Sequence, residues 1–442
     1  MNPILLFLLT FLALARAQQS SDDPPPHTAT VCIVGAGIGG SSVAHFLRKY
    51  SPDSTPATKI RVFERNGVVG GRIGTVTVAG ETFEAGASIL HPKNLYAVDY
   101  VKLLNLKVKL PRSESLSFGI WNGNKFVFKT VKISCNLPII DELLKPPFVN
   151  TLVSLVNSVF MFVRYGFSLL KMQNFVEVIT RINYGQSVSM SGLAGAVSLA
   201  GSGDGLWSIE GGNWQMVAGL INQSDVSLHL HEEIKSVTDL GDYYELNSIK
   251  GNSYTCEVAV VATPLDELNI QFVPPISIPE RKLQHTHATF VRGLLNPVYF
   301  GLKAATKIPD LVGTLEDPNL PFSSISVLKK HNEKESTYKI FSRQPMEDTL
   351  LDSIFRVRKE TIRINWAAYP HYHAPEVFAP FILDGRHLYY VNAFENAAST
   401  METSAVAAEN IARLILSRYF GKVIVHSSNL TASEGERTHL DL

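Results

Sequence analysis

The segment TVCIVGAGIGG, residues 30–40, places three glycines in the spacing G-x-G-x-x-G directly after an apolar run. The run predicts a buried strand, and apolar side chains at helical spacing over residues 43–50 predict a helix after the glycines. In such a turn Gly35 permits the tight bend, Gly37 lets a pyrophosphate approach the backbone, and Gly40 lets the helix pack against the strand. The segment therefore predicts a dinucleotide site, although a tight turn that binds nothing is the alternative for these glycines alone.

A carboxylate follows the glycine turn at a distance typical of nucleotide sites. Residues 59–63 predict a second strand, which ends at Glu64, 24 residues after Gly40. An acidic side chain about 20 residues beyond the glycines hydrogen-bonds the ribose hydroxyls in dinucleotide-binding folds. Strand-like and helix-like segments alternate after this point, so we expect an α/β protein with a Rossmann-type domain.

The overall composition is that of a globular protein. The 442 residues contain 40 Lys and Arg against 40 Asp and Glu, so the formal net charge is +0 and we expect no nucleic-acid binding. Hydrophobic residues make up 45% of the chain, and charged residues make up 18%, below the ~25% of a typical soluble protein. This composition excludes a disordered or fibrous chain.

Cysteines and histidines are few and scattered. There are three cysteines, so we expect no disulfide framework. Cys32 and Cys256 lie in apolar, strand-like runs, where a thiol is expected to be a buried, inert side chain. Two histidine pairs lack an obvious third ligand, and we predict no metal site: His285 with His287, and His371 with His373.

The two ends of the chain differ from the part that is predicted to fold. The first residues are almost wholly apolar and end in Ala15-Arg16-Ala17, which predicts a secretory signal peptide over 1–17. A membrane anchor is the alternative, but a span needs about 20 apolar residues. Sequons at Asn222 and Asn429 are compatible with a glycosylating compartment. Two polar segments flank the folded part: a linker at 18–28 and a tail at 426–442.

Two domains are predicted between these ends. Three separated stretches, 29–105, 205–265 and 380–425, are expected to form one nucleotide-binding domain. The stretches 106–204 and 266–379 are expected to form a mixed α+β substrate domain.

One segment of the substrate domain is unusually apolar. Residues 148–163 predict an amphipathic helix with a narrow polar stripe, too short and too polar to span a bilayer. Two interpretations stay open. The helix packs within the substrate domain, or it makes a peripheral contact with a membrane and receives a lipid-like substrate there.

Further motifs accompany the glycine turn in the order found in two-domain flavoproteins. They are GGR at 70–72, FEAGAS at 83–88, VVATP at 260–264 and DGRHLYYVNAFE at 384–395. The set resembles the amine oxidases and phytoene desaturases, whereas nicotinamide enzymes lack the GGR element. The resemblance implies that the nucleotide-binding domain binds FAD.

The same resemblance implies roles for individual residues around FAD. Arg72 is expected near the phosphates and Ile234 near the adenine. A helix is expected from about Glu402, and its N-terminus, with Met401 as the backbone donor, is expected to stabilise the negative charge that develops on the flavin upon reduction. The other implied cofactor contacts are Gly71, Gly86, Ala87, Ser88 and Glu395.

Several dispersed segments resemble a narrower family, the prenylcysteine oxidases, also called farnesylcysteine lyases, over about residues 29–425. The segments are 89–95, 164–166, 181–186, 207–213 and 366–371. The resemblance implies an FAD-dependent oxidoreductase that acts in the degradation of prenylated proteins. It would use O2 and water to cleave S-farnesyl- or S-geranylgeranyl-cysteine into a prenyl aldehyde, L-cysteine and hydrogen peroxide.

A histidine is the candidate catalytic residue. His91 follows the flavin turn at residues 86–88 by three residues and is predicted to orient or deprotonate the water that adds to the oxidised carbon. The alternative is a histidine that caps a turn before Pro92.

Five residues are candidates for holding the substrate. Arg181 is predicted to bind the carboxylate of the cysteine zwitterion, with Tyr184 or Glu210 near its ammonium; a solvated arginine is the alternative. Trp366 and Tyr369 are predicted to line the pocket, unless they are ordinary core residues.

The chain departs from the family pattern at one place. After residue 175 the family normally carries several more helical elements, whereas here the two ends join directly at about Val176. We expect a shortened substrate domain, in which the FAD-binding half folds and part of the wall of the prenyl tunnel is lost.

Two other functions compete with thioether cleavage. One is a different FAD oxidase or desaturase of the same group, which acts on an amine or an isoprenoid. The other is a non-catalytic prenyl-binding scaffold similar to Rab escort proteins. Glu64 and Arg72 favour a retained flavin, and the signal peptide argues against cytosolic clients. The resemblance also implies a lysosome or vacuole, where proteolysis releases prenylcysteine.

Overall fold

The structure, a computed structural model, describes residues 29–51, 58–109, 117–130, 169–202, 205–332 and 335–421. Several predicted features lie outside these residues: the signal peptide at 1–17, the linker at 18–28, the helix at 148–163, Asn429 and the tail at 426–442.

The described residues form helices and strands in alternation. The helices are α1 Ile38–Tyr50, α2 Leu95–Leu103, α3 Leu169–Tyr184, α4 Gly192–Ala200, α5 Trp214–Gln223, α6 Asp348–Ile354 and α7 Met401–Arg418. The strands are β1 Thr30–Val34, β2 Lys59–Glu64, β3 Thr75–Val78, β4 Glu81–Glu84, β5 Val108–Lys109, β6 Phe118–Trp121, β7 Phe126–Lys129, β8 Ser208–Ile209, β9 Ser227–Leu230, β10 Ile234–Asp239, β11 Tyr244–Ser248, β12 Ser253–Cys256, β13 Val258–Val261, β14 Gln271–Val273, β15 Leu283–Leu295, β16 Leu311–Thr314, β17 Ser324–Asn332, β18 Glu335–Ser342, β19 Phe355–Pro370 and β20 Leu388–Tyr390.

A five-stranded parallel sheet carries the glycine turn. Its strand order is β20-β13-β1-β2-β9, so strands from three separated parts of the chain lie side by side. The strand β1 is apolar along its length because both of its faces are covered: Val31 and Ile33 belong to one core, and Cys32 and Val34 to another.

Helices cover one face of this sheet. The helix α1 packs between β1 and α7 through buried residues such as Val43 and Phe46, and Ala408 and Ile411 of α7 complete the same core. This is the doubly covered arrangement that parallel strands require, with helices supplying one of the two layers.

A second sheet of order β12-β11-β10-β14 covers the opposite face and brings two cysteines together. Cys32 and Cys256 form a disulfide with their Cα atoms 5.9 Å apart. The expectation that the chain has no disulfide and that these thiols are separate was therefore wrong. β1 and β13 are neighbouring strands, which places the residue that ends β12 beside β1 although 224 residues separate the two cysteines.

A seven-stranded sheet of order β19-β15-β18-β17-β16-β6-β7 forms the other half of the molecule. Its neighbouring strands are antiparallel except for β16 and β6, and Val291, Phe300, Phe322 and Ile340 are among its core residues. The helices α3 and α6 pack against this sheet, which gives it a mixed α+β character. The predicted fold class, a Rossmann-type domain with a mixed α+β substrate domain, is confirmed.

A β-bulge marks the place where the two halves meet. The pairing of β15 with β19 skips Ala368, because Gln284 pairs with Tyr369 and His285 pairs with Ala367. The Ala368 carbonyl accepts a hydrogen bond from Arg72 Nη1 at 2.8 Å. Bulges re-aim side chains next to functional sites, and this one connects the edge strand β19 to the GGR turn of the nucleotide-binding half.

Candidate active site

A cavity of about 470 Å³ lies at the carboxyl ends of β1, β2 and β13, with residues of β15 and β19 on its other side. Ligands bind at this edge of open α/β sheets, where helix N-termini and strand ends meet. One part of the lining is polar backbone from glycine turns, and another part is apolar and aromatic. The cavity therefore suits a nucleotide at one end and an apolar ligand at the other.

The glycine turn between β1 and α1 has no room for a side chain at two of its three glycines, Gly35 and Gly40. Gly35 has a φ of +107°, and a Cβ added there would lie 2.7 Å from the Ala262 carbonyl oxygen. A Cβ at Gly40 would lie 2.0 Å from the Gly35 carbonyl oxygen. Gly37 is the N-cap of α1 and lines the cavity, so the first-turn amides and the positive end of the helix dipole are available to a phosphate.

Glu64 ends β2 and is buried at the cavity wall. Its Oε2 accepts the Ala36 N–H at 3.0 Å, and its Oε1 accepts the Asn66 N–H at 2.9 Å. The carboxylate thus fixes the glycine turn while it lines the cavity. Its contact with a ribose stays a prediction, and Ile234, expected near the adenine, lines the same cavity.

Arg72 is held by a buried carboxylate. Its Nη1 lies 2.5 Å from Glu395 Oε1, and Arg281 Nη2 lies 3.4 Å from Glu395 Oε2. Burial alone would raise the pKa of Glu395, but the charges of Arg72 and Arg281 outweigh it and hold this pKa below its usual value. Glu395 does not line the cavity, so it positions Arg72, which does.

The turn at residues 85–87 forms a further part of the wall. Ala85, Gly86 and Ala87 line the cavity, and Trp366 Nε1 donates a hydrogen bond to the Ala85 carbonyl at 3.1 Å. Ser88, also predicted as a cofactor contact, and Gly40 are not part of the cavity lining. Gly40 contributes instead by letting α1 approach β1.

The N-terminus of α7 faces the same cavity. Met401, its first residue, lines the cavity, and Thr400 caps the helix by accepting the Thr403 N–H at 3.0 Å. The cavity thus has two helix N-termini and an arginine, as well as a carboxylate at the end of β2. These groups fit the phosphates, the ribose and the electron-rich ring of FAD, the cofactor that the sequence predicts.

A buried lysine, Lys339, and a half-buried glutamate, Glu84, lie beside the turn at 85–87. Glu84 Oε1 accepts the Asn213 N–H at 2.7 Å, and its Oε2 is buried without a hydrogen-bond partner among the described residues. Burial raises the pKa of Glu84 to about 7, against the opposing effects of the Asn213 bond and the Lys339 charge. Lys339 Nζ donates to the Glu84 carbonyl at 3.1 Å, and burial lowers the pKa of Lys339 to about 8.

The raised pKa of Glu84 predicts a pH-dependent stability. Because the folded pKa of about 7 exceeds the usual 4.5, the stabilising contribution of the neutral carboxyl is complete below about pH 4.5 and is lost as the pH rises through about 7. Glu84→Gln keeps this group neutral. We expect its free energy of unfolding, relative to that of the unmodified chain, to rise by about 1–3 kcal/mol between about pH 5 and about pH 8.

Chemical denaturation at several pH values measures this difference. Glu81→Gln on the same hairpin is the matched control: the Lys329 hydrogen bond lowers the pKa of Glu81, so this carboxylate stays ionised over that range in both states. Parallel pH profiles for Glu84→Gln and the unmodified chain would contradict the assignment.

His91 lies outside the cavity lining, contrary to its predicted catalytic position. The ring Nδ1 of His91 accepts the Lys93 backbone N–H at 3.1 Å, and the backbone N–H of His91 donates to Asn94 Oδ1 at 2.6 Å. Burial lowers the pKa of His91, and the Lys93 charge adds to this effect. The geometry is that of the turn cap before Pro92, so we assign no catalytic role to His91.

Arg181 is neither solvated nor directed at a substrate. It is buried, its Nη1 lies 3.0 Å from Glu316 Oε1, and its Nε donates to Thr314 Oγ1 at 3.1 Å. Glu316 also accepts two bonds from Arg343, at 2.5 and 2.6 Å. The predicted substrate-binding role for Arg181 is corrected to a buried ion pair. Glu210, named for the ammonium, is exposed and outside the cavity lining.

Three tyrosines and a tryptophan form an aromatic wall. Trp366 and Tyr369 line the cavity, and their contact with substrate stays a prediction. Tyr184 does not line it. Its ring packs on Tyr369 with centroids 4.7 Å apart and on Tyr372 with centroids 5.3 Å apart, so Tyr184 supports the wall from behind.

A polar cluster of three cavity residues was not predicted from the sequence. His285 Nε2 lies 3.2 Å from Glu267 Oε1, and His285 Nδ1 lies 3.1 Å from Asn365 Oδ1. All three residues line the cavity. They come from three distant segments, and the only sequence signal was the histidine pair that His285 forms with His287.

A search of the described residues finds no group of three potential ligands that could hold a metal ion. Within the same residues, no helix has the length and apolar character needed to cross a membrane.

Comparison with known proteins gives matches along most of the chain. The family model described as "Prenylcysteine lyase" matches residues 174–425, and a "NAD(P)-binding Rossmann-like domain" model matches residues 33–102. Farnesylcysteine lyase of Arabidopsis thaliana is 56% identical over 469 residues, which is 92% of this chain and 91% of that protein. Human prenylcysteine oxidase 1 is 31% identical over 88% of this chain and 89% of its own length.

The alignments also bear on the length of the substrate domain. The Arabidopsis alignment spans 469 positions, whereas 92% of this 442-residue chain is only about 407 residues. About 60 positions of the relative therefore have no counterpart here. The family-model match begins at residue 174, next to Val176, where the sequence predicts the shortening, and α3 runs through this point without a break.

Solved structures with the same fold include amine oxidases. Cyclohexylamine oxidase from Brevibacterium oxydans aligns with a TM-score of 0.61 at 16% identity over 89% of this chain and 100% of that one. A putrescine oxidase variant aligns with a TM-score of 0.61 at 14% identity and the same coverage. These similarities show the fold, while the sequence matches show that the chain belongs to the prenylcysteine lyase family.

Proposed function

We propose that this chain is an FAD-dependent oxidase that cleaves the thioether of S-prenyl-cysteines such as S-farnesyl-cysteine. The observation that carries the proposal is the 56% identity to a farnesylcysteine lyase over 92% of this chain. The balanced reaction consumes the thioether, O2 and water and yields a prenyl aldehyde, L-cysteine and hydrogen peroxide. In this reaction the carbon bonded to sulfur is oxidised and O2 is reduced.

The residues of the cavity divide the binding of FAD among them. Gly37 at the start of α1 and the Arg72 guanidinium would hold the phosphates, Glu64 would hold the ribose, and Met401 at the start of α7 would support the flavin ring. The chemistry that FAD would supply there is acceptance of a hydride from the substrate and transfer of the electrons to O2. Glu395 keeps Arg72 in place through its buried ion pair.

The apolar part of the cavity suits the isoprenoid chain. Leu268, Leu283, Phe341, Trp366 and Tyr369 line it, and burial of apolar surface contributes about 25 cal/mol per Å². The sulfur lone pair and the allylic double bond both stabilise positive charge on the carbon that loses hydride. The site therefore needs orientation and apolar surroundings more than a strong base.

Product stoichiometry in air tests this proposal. With S-farnesyl-cysteine we expect one prenyl aldehyde, one cysteine and one hydrogen peroxide for each substrate consumed. S-dodecyl-cysteine is the matched control, because its saturated chain buries similar apolar surface but cannot share the charge, and its turnover should be far slower. Peroxide without aldehyde, or equal turnover of the saturated analogue, would contradict the proposal.

We further propose that the chain works in the secretory pathway, in a lysosome or vacuole. Support comes from the apolar leader at 1–17 and from the Cys32–Cys256 disulfide, because disulfides persist in oxidising compartments. Asn222 is exposed near the end of α5, where a glycan has access. Mass spectrometry of the chain expressed in plant cells tests cleavage, disulfide and glycan together, and an unprocessed, reduced chain would refute the proposal.

Contact with a membrane through 148–163 stays a prediction, testable by co-sedimentation with vesicles.

A further inference from the structure

We propose that Glu267 determines substrate specificity by binding the α-ammonium of the cysteine headgroup, with His285 and Asn365 holding it in place. The inference rests on the proposed function, because it assigns the polar end of the same substrate. Arg181 was the sequence candidate for binding the headgroup. It is buried in an ion pair with Glu316 and does not line the cavity, so we look for the headgroup site among the residues that do.

Glu267 lies at the aromatic end of the cavity. Three other carboxylates line the cavity: Glu64, Glu232 and Glu233. Glu64 is bonded to the Ala36 and Asn66 amides, and Glu232 to Asn252 and Tyr254. Glu233 directly precedes Ile234, so all three belong to the nucleotide end. Glu267 instead connects through His285 to Asn365, the neighbour of Trp366 on β19, and so belongs to the aromatic end.

The charges around Glu267 also favour an ammonium ligand. Among the described residues its only ionic partner is the His285 imidazole, whose Nε2 lies 3.2 Å from Oε1. Arg72, an arginine of the cavity wall, forms an ion pair with Glu395 and donates a hydrogen bond to the Ala368 carbonyl. The second oxygen of Glu267 therefore remains a negatively charged hydrogen-bond acceptor, which suits an ammonium group.

The cluster is accessible from the cavity and is held in a defined geometry. The side chains of His285 and Glu267 are 40% and 38% exposed, so they remain accessible from the cavity although they are bonded to each other. His285 lies beside the bulge in the β15–β19 pairing, which sets its direction relative to Trp366. Asn365 on β19 holds the other ring nitrogen of His285 at 3.1 Å, which fixes the imidazole plane.

A route for the headgroup is also present. A second cavity of about 620 Å³, lined by residues 265–267 and 278–283, shares Glu267 and Leu283 with the first one. Glu267 thus stands where the two cavities meet. A zwitterionic headgroup there keeps its charges near solvent while the isoprenoid chain points toward the apolar wall.

The test compares S-farnesyl-cysteine with S-farnesyl-3-mercaptopropionate, which lacks only the amino group. For the FAD-loaded unmodified chain we expect kcat/KM to favour the cysteine compound roughly 5- to 30-fold, because a partly exposed charged hydrogen bond is lost with the amino group. Glu267→Gln should reduce this preference to about 3-fold or less while the desamino compound is turned over as before, and Glu267→Asp should keep most of it.

Glu280→Gln is the matched control. Glu280 lines only the second cavity, so the same change there should leave the preference intact. Anaerobic titration calorimetry of both compounds, on the chain whose flavin has first been reduced chemically, gives the ratio of their dissociation constants without turnover. If the unmodified chain oxidises neither compound, the proposed function fails and the binding ratio alone decides this inference. An unchanged preference in Glu267→Gln, or an equal loss for both compounds, would overturn it.

Discussion

Gly40→Ala is expected to yield a chain that retains almost no FAD and is less stable by about 3 kcal/mol or more. The added Cβ would lie 2.0 Å from the Gly35 carbonyl oxygen and 3.1 Å from a methyl group of Ile33. The backbone of the turn and the centre of β1 cannot both shift to make room for the added Cβ, so α1 must move away from the sheet. That displacement removes the first-turn amides from the phosphate position and opens the core around Val43.

The ratio of flavin absorbance to protein absorbance, measured with chemical denaturation, checks this result. Gly192→Ala is the matched control, because a Cβ at the start of α4 meets nothing within 4 Å and should change stability by less than about 0.5 kcal/mol. Full flavin content and unchanged stability in Gly40→Ala would refute the described packing of α1 on β1.

Arg281→Met is expected to destabilise the protein by about 3–5 kcal/mol, because it leaves the buried Asp266 carboxylate without its arginine partner. Arg281 makes bonds of 2.8 and 2.6 Å to both oxygens of Asp266, and its Nη2 lies 3.4 Å from Glu395. Burial would lower the pKa of Arg281, but the Asp266 hydrogen bond and the Glu395 charge outweigh it and raise this pKa. Without Arg281, Glu395 relies on Arg72 alone, so flavin content should fall as well.

Denaturation curves for two further variants separate charge from packing. Arg358→Met removes an arginine that also binds two carboxylates, but Asp348 and Asp352 are 65% and 63% exposed, so the expected loss is below about 1 kcal/mol. Adding Asp266→Asn to Arg281→Met should recover part of the stability, since it removes the unpaired charge. Equal losses for Arg281→Met and Arg358→Met would contradict the role of the buried network.

Local patterns predicted the nucleotide half of the site well. The glycine turn, Glu64 and the GGR turn each sit within a short segment, and a strand followed by a tight turn and a helix fixes their geometry locally. The structure places Gly35, Gly37, Glu64, Arg72 and Met401 around one cavity, although their contacts with FAD remain predictions. The family resemblance also predicted the N-terminus of α7 within one residue: a helix was expected from about Glu402, and it begins at Met401, where Thr400 caps it.

Long-range pairing explains what the sequence did not reveal. Arg181 resembles any helical arginine until Glu316, on a distant segment, is packed against it. The cysteines Cys32 and Cys256 become partners only because β1 and β13 are adjacent. Glu267 and His285 likewise meet only after β15 is placed beside the nucleotide half. In each case the partner is set by how distant segments pack in the fold, which no local spacing encodes.

Anaerobic mixing of the FAD-loaded, purified chain with S-farnesyl-cysteine tests the proposed function most directly. We expect the flavin absorbance to bleach on mixing, and to return with air together with equal amounts of hydrogen peroxide and prenyl aldehyde. A chain that carries its full complement of FAD and shows no bleaching with S-farnesyl-cysteine would contradict the proposal that this cavity oxidises the thioether.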